Sequence, residues 1–308
     1  MRHIIQLSLF FALCSFVSAL PQPQTARDGS YKHPFARIAQ PVSPQTFGTP
    51  PKAVLLNKAD LLDPDTVVPS SSVPVNPRAT LEERDVIGTD NRVLQTKTGN
   101  PWDYIGNFAW SDGGRCSGSL VGPRHLATAR HCYDTTPGST VTYQFRPNYD
   151  QGTRGYTTAG VTSVLYTPGT LGDICSYGDD WAIFILDQRL GDKYGYFGVR
   201  QFNATKANQP IFWSEGYPVN LGNTERPYVQ QQITGQQVSN CNGGATGPIV
   251  TDADLEGGQS GGPLWLLPEA DGVRYLYGVV SAGNSAQSFY AGRISFVNAV
   301  AQARKNYP

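Results

Sequence analysis

The sequence predicts an all-β protein, because short runs of β-branched and aromatic residues alternate with turn-forming clusters. Three such runs are residues 141–145 (VTYQF), 228–233 (YVQQQI) and 275–280 (YLYGVV). The chain also contains 33 glycines and 23 prolines, which are typical of turns. Short strands separated in this way favour barrels or sandwiches.

One stretch breaks this pattern and predicts a C-terminal helix. In residues 296–305, Phe296, Val297, Val300 and Ala301 recur at helical spacing. Basic residues follow in the last turn, where they complement the helix dipole.

The amino-terminal 85 residues divide into two predicted processing segments. Residues 1–19 combine a basic start, an apolar run and a small-residue end, which is typical of a secretory signal peptide cleaved near Ala19. This run is too short for a membrane span, and no later segment matches its apolar length. Residues 20–85 contain 11 prolines and end in the charged sequence LEERD. They predict a propeptide that is largely extended or disordered, with a plain disordered tail as the alternative.

Residues 86–308 form the predicted functional domain, whose 223 residues can enclose a sizeable core. The 24 basic and 24 acidic residues of the chain balance, and no basic patch indicates nucleic-acid binding. We expect an extracellular protein with no membrane or nucleic-acid partner. A single glycosylation sequon begins at Asn203, and its occupancy is open.

Residues 257–264 (GGQSGGPL) carry the strongest chemical signal. Ser260 lies among glycines, which permit unusual backbone angles and close approach of a ligand. Acyl transfer needs such a nucleophile beside backbone N–H donors. A glycine-rich turn before a strand is the alternative interpretation.

Two further segments favour catalysis. Residues 126–132 (LATARHC) form a predicted strand that ends at His131, and Asp180 precedes the apolar strand of residues 181–186. A buried carboxylate needs a partner. The chain order of histidine, aspartate and serine is that of the chymotrypsin-type catalytic triad. Asp179 competes with Asp180 for the acidic role.

An esterase nucleophile elbow is the rival explanation for residues 258–262, which also fit the pattern G-x-S-x-G. That fold places its histidine after the serine. The four histidines of this chain all precede Ser260, so the esterase reading fails.

From residue 86 onward the chain resembles the trypsin/chymotrypsin-fold serine endopeptidases, and within them the secreted glutamyl-endopeptidase-like branch. Four motifs carry the resemblance. They are residues 86–92 (VIGTDNR), 116–123 (CSGSLVGP), 216–218 (GYP) and 257–260 (GGQS). The resemblance implies two six-stranded antiparallel β-barrels with a boundary near residues 195–210, followed by a C-terminal helix.

The resemblance also implies a role for each candidate catalytic residue. Ser260 is the nucleophile, His131 the general base and Asp180 the residue that orients the imidazole. Asp180 is preferred to Asp179 because the family places the acid shortly before an Ala-Ile pair. The backbone N–H groups of Gly258 and Ser260 form the expected oxyanion hole.

Substrate-binding positions follow from the same resemblance. They are Asp254, Leu255, Val280, Ser281 and Gly283. Glutamyl endopeptidases carry a histidine at the position of Val280 and a threonine or serine at that of Leu255. Both residues are apolar here, which disfavours glutamate. The resemblance places Asp254 at the position that gives trypsin its preference for Arg and Lys, so we expect a basic or broad apolar P1 preference.

Gln259 is a second departure from the trypsin pattern. Trypsin-like zymogens mature when a new terminal ammonium pairs with an aspartate at this position. An uncharged glutamine excludes that ion pair, so removal of the propeptide near residue 85 would act by uncovering the cleft or by docking the new terminus elsewhere.

The four cysteines outside the signal peptide allow three pairings. The resemblance implies a bridge between Cys116 and Cys132 beside the histidine strand. It leaves Cys175 and Cys241, whose loops face each other across the cleft in the family fold. No C-x-x-C pair supports a metal site.

These observations together predict a secreted serine endopeptidase that is synthesised as a proprotein and acts on proteins or peptides as a monomer. It needs no cofactor or metal and can meet protein inhibitors in its cleft. The alternative is a catalytically inactive homologue that binds proteins. The presence of all three triad residue types favours the enzyme.

Overall fold

The computed structural model describes residues 47–63, 66–71, 90–241, 246–268, 271–284 and 286–308. The predicted signal peptide and the predicted cleavage site near residue 85 lie outside these ranges. Within the described residues no helix is both long and apolar enough to cross a membrane.

The first sheet contains seven strands. They are β1 (Lys52–Leu55), β3 (Ile105–Trp110), β4 (Arg115–Gly122), β5 (His125–Thr128), β6 (Tyr143–Pro147), β7 (Ala159–Tyr166) and β8 (Ala182–Leu186). Their order is β1-β7-β6-β3-β4-β5-β8, and an additional antiparallel pairing of β7 with β8 closes six of them into a barrel. Phe108, Phe145 and Phe184 are fully buried in its core, so the barrel is filled by side chains. β1 lies outside the closed barrel and pairs with β7 in parallel.

The second sheet contains nine strands. They are β2 (Val93–Leu94), β9 (Gly198–Val199), β10 (Phe212–Gly216), β11 (Tyr228–Ile233), β12 (Gly235–Gln237), β13 (Ile249–Thr251), β14 (Pro263–Trp265), β15 (Tyr275–Gly283) and β16 (Ser288–Ala291). Eight follow the order β12-β13-β16-β15-β14-β10-β11-β2, and β9 pairs with β15. This sheet is a half-barrel rather than the second closed barrel that the resemblance implies. The short strand β2 occupies an edge of β11 at Tyr228 and Val229, where closure would need another partner.

In the part of the chain that the structure describes, three α-helices and five short 3-10 turns accompany the sheets. The helices are α1 (Leu190–Tyr194), α2 (Val219–Gly222) and α3 (Ile294–Asn306). The 3-10 turns are Lys58–Leu61, Trp102–Tyr104, Arg130–Cys132, Ser176–Asp179 and Ala204–Lys206. Helix α3 confirms the predicted C-terminal helix and starts two residues before the predicted range. Its face with Phe296, Val297 and Val300 is fully buried in a cluster that also contains Trp181 and Ile183.

Strand register brings the candidate site together. β5 pairs antiparallel with β8 so that Thr128 lies opposite Ala182. The chain that leaves β5 therefore enters the turn of His131 at the end of the barrel where Asp180 precedes β8. Ser260 precedes β14 of the other sheet, and its carbonyl oxygen accepts a 2.8 Å hydrogen bond from the Ser117 N–H of β4. The site thus lies between the two sheets.

Both predicted disulfides are present and flank this region. Cys116 of β4 is bonded to Cys132, directly after His131, and Cys175 is bonded to Cys241, which lies between β12 and β13. Bridges of this kind stabilise a small domain by about 2–4 kcal/mol each.

Candidate active site

Asp180 holds the imidazole of His131 in a fixed orientation. Its Oδ2 lies 2.7 Å from His131 Nδ1, and its Oδ1 accepts a 3.0 Å hydrogen bond from the His131 backbone N–H. The carboxylate is fully buried, whereas the His131 side chain is 15% exposed. The ring therefore has one nitrogen directed at a buried acceptor and one side open toward the cleft.

Ser281 completes the surroundings of Asp180. Its hydroxyl donates a 2.7 Å hydrogen bond to Asp180 Oδ2, and the residue is fully buried in β15. The resemblance predicts a substrate-binding role for Ser281 and does not predict this contact. No local pattern links two residues that are 101 positions apart, so only the tertiary structure reveals the contact.

Asp179 adopts a different role from its neighbour. Its Oδ2 lies 2.5 Å from Lys58 Nζ and 2.6 Å from Arg293 Nη1. Asp179 therefore forms ion pairs on the other side of the turn, while Asp180 faces the histidine.

Ser260 is buried beside the histidine turn. It is 1% exposed, and its hydroxyl oxygen has no hydrogen-bond partner among the described residues. The Cys132 sulfur, which belongs to a disulfide, contacts the Ser260 carbonyl oxygen at 3.8 Å. Gly261 next to it has φ +81°, and an added Cβ would lie 1.9 Å from the Thr128 hydroxyl. Only glycine allows the serine turn to approach the first barrel this closely.

Two backbone N–H groups near Ser260 are available to a ligand. Within the described part of the chain, neither the N–H of Gly258 nor that of Ser260 donates a hydrogen bond. Gly258 has φ +92°, and its carbonyl oxygen accepts from the Ser117 hydroxyl at 2.9 Å. This contact fixes the peptide at the point where an oxyanion hole is expected.

Residues 90–92 hold the loop that leads to the serine, a contact that no sequence motif predicts. The guanidinium of Arg92 donates to Gln259 Oε1, and the same oxygen accepts a 2.8 Å bond from the Glu256 N–H. The Asn91 N–H donates to Asp254 Oδ2 at 2.9 Å. The side chain of Arg92 thus supports the residue before Ser260.

The predicted substrate-binding residues lie on two walls. Leu255 packs against the apolar cluster that contains Val280 and Tyr290. The backbone of Val280 is already paired with Gly261 and Gly262. Residues 281–283 continue β15 beyond this pairing, and within the described strands they pair only with β16. The other backbone edge of residues 281–283 therefore has no ladder partner among the described strands, although the three residues are buried.

A cavity of about 250 Å³ opens beside the imidazole. Its lining residues are Arg130, His131, Tyr133, Thr135, Tyr166, Gly169 and Leu171. It is large enough for a side chain and places apolar and aromatic groups next to the candidate catalytic residues.

The fold is that of the chymotrypsin-like proteases. The Trypsin family matches residues 93–305, and the chain belongs to this family. The predicted resemblance to its glutamyl-endopeptidase-like branch is confirmed.

Two curated relatives share sequence with the chain. Glutamyl endopeptidase of Bacillus licheniformis is 28% identical over an alignment of 193 residues that covers 59% of this chain and 55% of that protein. Spermosin of Halocynthia roretzi is 29% identical over an alignment of 212 residues that covers 60% of this chain and 54% of that protein. The chain therefore spans about half the length of the curated relatives it matches.

Solved structures agree on the fold. A structure of Glu endopeptidase in complex with MPD has a TM-score of 0.56 and 21% identity, over 72% of this chain and 100% of that chain. Human heparin binding protein has a TM-score of 0.53 and 17% identity, over 71% of this chain and 98% of that chain. Because one of these proteins is named for binding, the fold alone does not distinguish an enzyme from a binding protein.

Proposed function

We propose that this chain is a secreted serine endopeptidase, made as a proprotein, that hydrolyses peptide bonds through an acyl-enzyme on Ser260. The observation that supports this proposal most strongly is the pair of contacts between buried Asp180 and His131. They lie near Ser260, whose hydroxyl has no hydrogen-bond partner among the described residues.

The proposed chemistry assigns a distinct role to each of the three side chains. Because Asp180 accepts a hydrogen bond from Nδ1, the neutral ring carries its proton there and Nε2 is the basic nitrogen. His131 takes the proton of Ser260, whose oxygen forms a bond to the acyl carbon. His131 then gives that proton to the amine nitrogen as the scissile C–N bond breaks, which leaves the acyl-enzyme. Water next attacks the acyl carbon while His131 takes a proton from it. His131 returns this proton to the Ser260 oxygen as the bond between that oxygen and the acyl carbon breaks, and the acid is released.

The N–H groups of Gly258 and Ser260 would stabilise the oxyanion of both tetrahedral intermediates. They have no competing acceptor in the described residues, so they need no rearrangement to reach the substrate. Removal of one such donor typically lowers the rate about 100–1,000-fold.

The proposed substrate is an extended peptide that pairs with residues 281–283. Its P1 side chain would contact Leu255 and Val280, which would desolvate a glutamate without a compensating polar group. We therefore propose an apolar or basic P1 preference, although one relative is named a glutamyl endopeptidase. Asp254 would attract a basic side chain, but its Oδ2 already accepts from Asn91.

Secretion and processing belong to the same proposal. The two disulfides suit an oxidising compartment, which fits a signal peptide at residues 1–19. Cleavage near residue 85 would separate residues 20–85 from the protease domain. The mature enzyme would act as a monomer, and protein inhibitors would occupy the same cleft.

Replacement of the serine tests the proposal. Ser260→Ala should lower kcat on a casein substrate by roughly 10⁶-fold and abolish labelling by an organophosphonate. Ser163→Ala on β7 is the control, because Ser163 lies in the strand that carries β1 rather than in the serine turn. A Ser260→Ala protein that still hydrolyses casein at the wild-type rate would refute the enzyme proposal. A wild-type protein with neither activity nor labelling would favour an inactive binding homologue.

The P1 proposal has a separate readout. Cleavage of a peptide library by the wild-type protein should enrich apolar or basic residues at P1. Enrichment of glutamate would overturn the proposed specificity and leave the proposed mechanism intact.

A further inference from the structure

A segment upstream of the proposed cleavage site is built into the protease domain. Residues 47–63 and 66–71, hereafter the anchor segment, precede residue 85 in the chain. Within it, β1 pairs in parallel with β7, with Lys52 opposite Ser163 and Leu55 opposite Tyr166. The Leu56 N–H extends this ladder to the Tyr166 carbonyl oxygen at 2.9 Å. The segment thus adds a strand to the first barrel.

Apolar side chains of the anchor segment are buried with the core of the domain. Leu56, Leu61 and Val68 are 8%, 1% and 3% exposed. They belong to the same cluster as Trp181 and Phe296. Release of the segment would expose these apolar surfaces to water, which is unfavourable.

Side chains of helix α3 donate hydrogen bonds to backbone carbonyl oxygens of the anchor segment. Asn298 Nδ2 donates to the carbonyl oxygens of Leu61 and Asp63, both at 3.0 Å. Arg304 Nη1 donates to the Pro69 carbonyl oxygen at 2.6 Å, and its other nitrogens bind carbonyl oxygens of the domain. Burial lowers the pKa of this guanidinium to about 10.

The last part of the segment is held by reciprocal hydrogen bonds. Val68 and Val199 exchange two backbone bonds of 2.9 and 2.8 Å. The Ser71 N–H donates to the Tyr196 carbonyl oxygen, and the Tyr196 N–H donates to the Ser71 hydroxyl. These bonds tie residues 66–71 to the region that joins the two sheets.

The position of the segment differs from that of an inhibitory propeptide. Its partners lie on β7, α3 and the β9 region, and its ion pair from Lys58 reaches Asp179 rather than Asp180. Removal of this segment would therefore uncover core surface rather than the serine.

We propose that the anchor segment remains bound after cleavage as a second, non-covalent chain of the mature protease. This inference rests on the proposed cleavage near residue 85. Residues 20–85 contain no cysteine, so no disulfide can retain the segment. The surface of β7, α3 and β9 is then a docking site for a piece of the same precursor.

The experiment uses the full chain with Ser260→Ala and a site for a sequence-specific protease inserted between Asp85 and Val86. After cleavage, gel filtration and native mass spectrometry should show the fragment that contains residues 47–71 bound one-to-one to residues 86–308. Guanidinium should separate the two chains. Elution of the fragment as a free peptide under native conditions would overturn the proposal.

Matched variants test whether the described contacts hold the fragment. Leu61→Ala and Val68→Ala should speed its release about tenfold or more, because each removes buried apolar contacts. Leu62→Ala and Val67→Ala are the controls, since these neighbours are 56% and 48% exposed, and their release rates should change by less than about twofold. Equal release rates within both pairs would contradict the docking mode. The two pairs are independent, so one that fails to fold leaves the other as the test.

Retention of the fragment does not depend on catalysis, because the tested chain carries Ser260→Ala. A retained fragment in a protein whose wild-type form hydrolyses no peptide would support this inference and refute the proposed function. A released fragment from an active wild-type enzyme would do the reverse.

Discussion

Two buried carboxylates in this molecule have very different surroundings. Asp180 accepts hydrogen bonds from the His131 ring, the His131 backbone and the Ser281 hydroxyl. Glu215 of β10 is also fully buried, but its described hydrogen-bond partner is Gln95, at 3.3 Å from Oε1. Its Oε2 has no partner among the described residues. The two sites differ in the number of hydrogen-bond donors to the carboxyl group and not in burial.

Desolvation explains the state of Glu215. Burial raises its pKa to about 8, and the hydrogen bond from Gln95 and the charge of Arg154 only partly oppose this shift. Asp103 nearby raises the pKa further. The same burial raises the pKa of the Tyr217 hydroxyl well above its usual value. The surroundings of Glu215 and Tyr217 therefore favour the neutral forms of both side chains. The Asp180 site instead offers several hydrogen-bond donors to the side chain beside the imidazole.

The largest expected effect tests the Asp180 side of the comparison. Asp180→Asn should lower kcat by about 10⁴-fold, because the amide cannot stabilise the imidazolium and favours the wrong tautomer. Asp179→Asn is the matched control and should retain most of the activity, since that carboxylate pairs with Lys58 and Arg293. Steady-state kinetics on one peptide substrate measure both. Equal losses of kcat in the two variants would contradict the proposal that Asp180, and not Asp179, orients His131.

A smaller loss is expected from the backbone of the cleft. Gly258→Ala would place a Cβ 2.3 Å from the Tyr217 carbonyl oxygen at φ +92°, which forces the Gly258 peptide to move. Loss of this N–H as an oxyanion donor should lower kcat about 100–1,000-fold with a smaller effect on KM. Gly272→Ala has a similar φ of +75° with open space around it, so it controls for backbone strain alone. Wild-type kcat in Gly258→Ala would exclude this N–H from the reaction.

The smallest effect tests the Glu215 side and concerns stability. The unfolded carboxyl has a pKa of 4.5 and the folded one about 8, so the folded protein keeps a proton that the unfolded chain loses between these values. The contribution of Glu215 to stability is therefore complete below pH 4.5 and is lost as the pH rises to about 8.

Glu215→Gln keeps the neutral form at every pH. Its free energy of unfolding, relative to the wild type, should rise with pH by up to about 1.4 kcal/mol per unit between pH 5 and 8. Urea unfolding at several pH values measures this slope. Glu225→Gln is the control, because Glu225 is partly exposed and bonded to the Tyr149 hydroxyl, and it should follow the wild-type slope. A Glu215→Gln protein with the wild-type pH dependence would show that Glu215 is ionised in the fold.

Much of the fold could be predicted because its signals are local. The alternation of strands and turns, the helical spacing near Phe296 and the motif around Ser260 each lie within a few residues. The disulfides followed from a resemblance whose motifs are equally short. These features depend on residue type and spacing, which the sequence states directly.

Other features could not be predicted because they join distant parts of the chain. The bond from Ser281 to Asp180, the support of Gln259 by Arg92 and the open second sheet all depend on which strands become neighbours. The packing of the anchor segment belongs to this group as well. Its proline-rich composition is typical of a disordered chain. A single strand that pairs with the edge of an existing sheet needs only a few apolar residues, so its sequence gives little signal.

The amino-acid sequence by itself determined the kinds of chemical groups available and their order along the chain, which already restrict the protein to one family. Only the tertiary structure decided which aspartate faces the imidazole, which serine orients that aspartate and where residues 47–71 pack. The physical reason is that hydrogen bonds and burial depend on distances in space, and strand register sets those distances across more than a hundred residues of sequence.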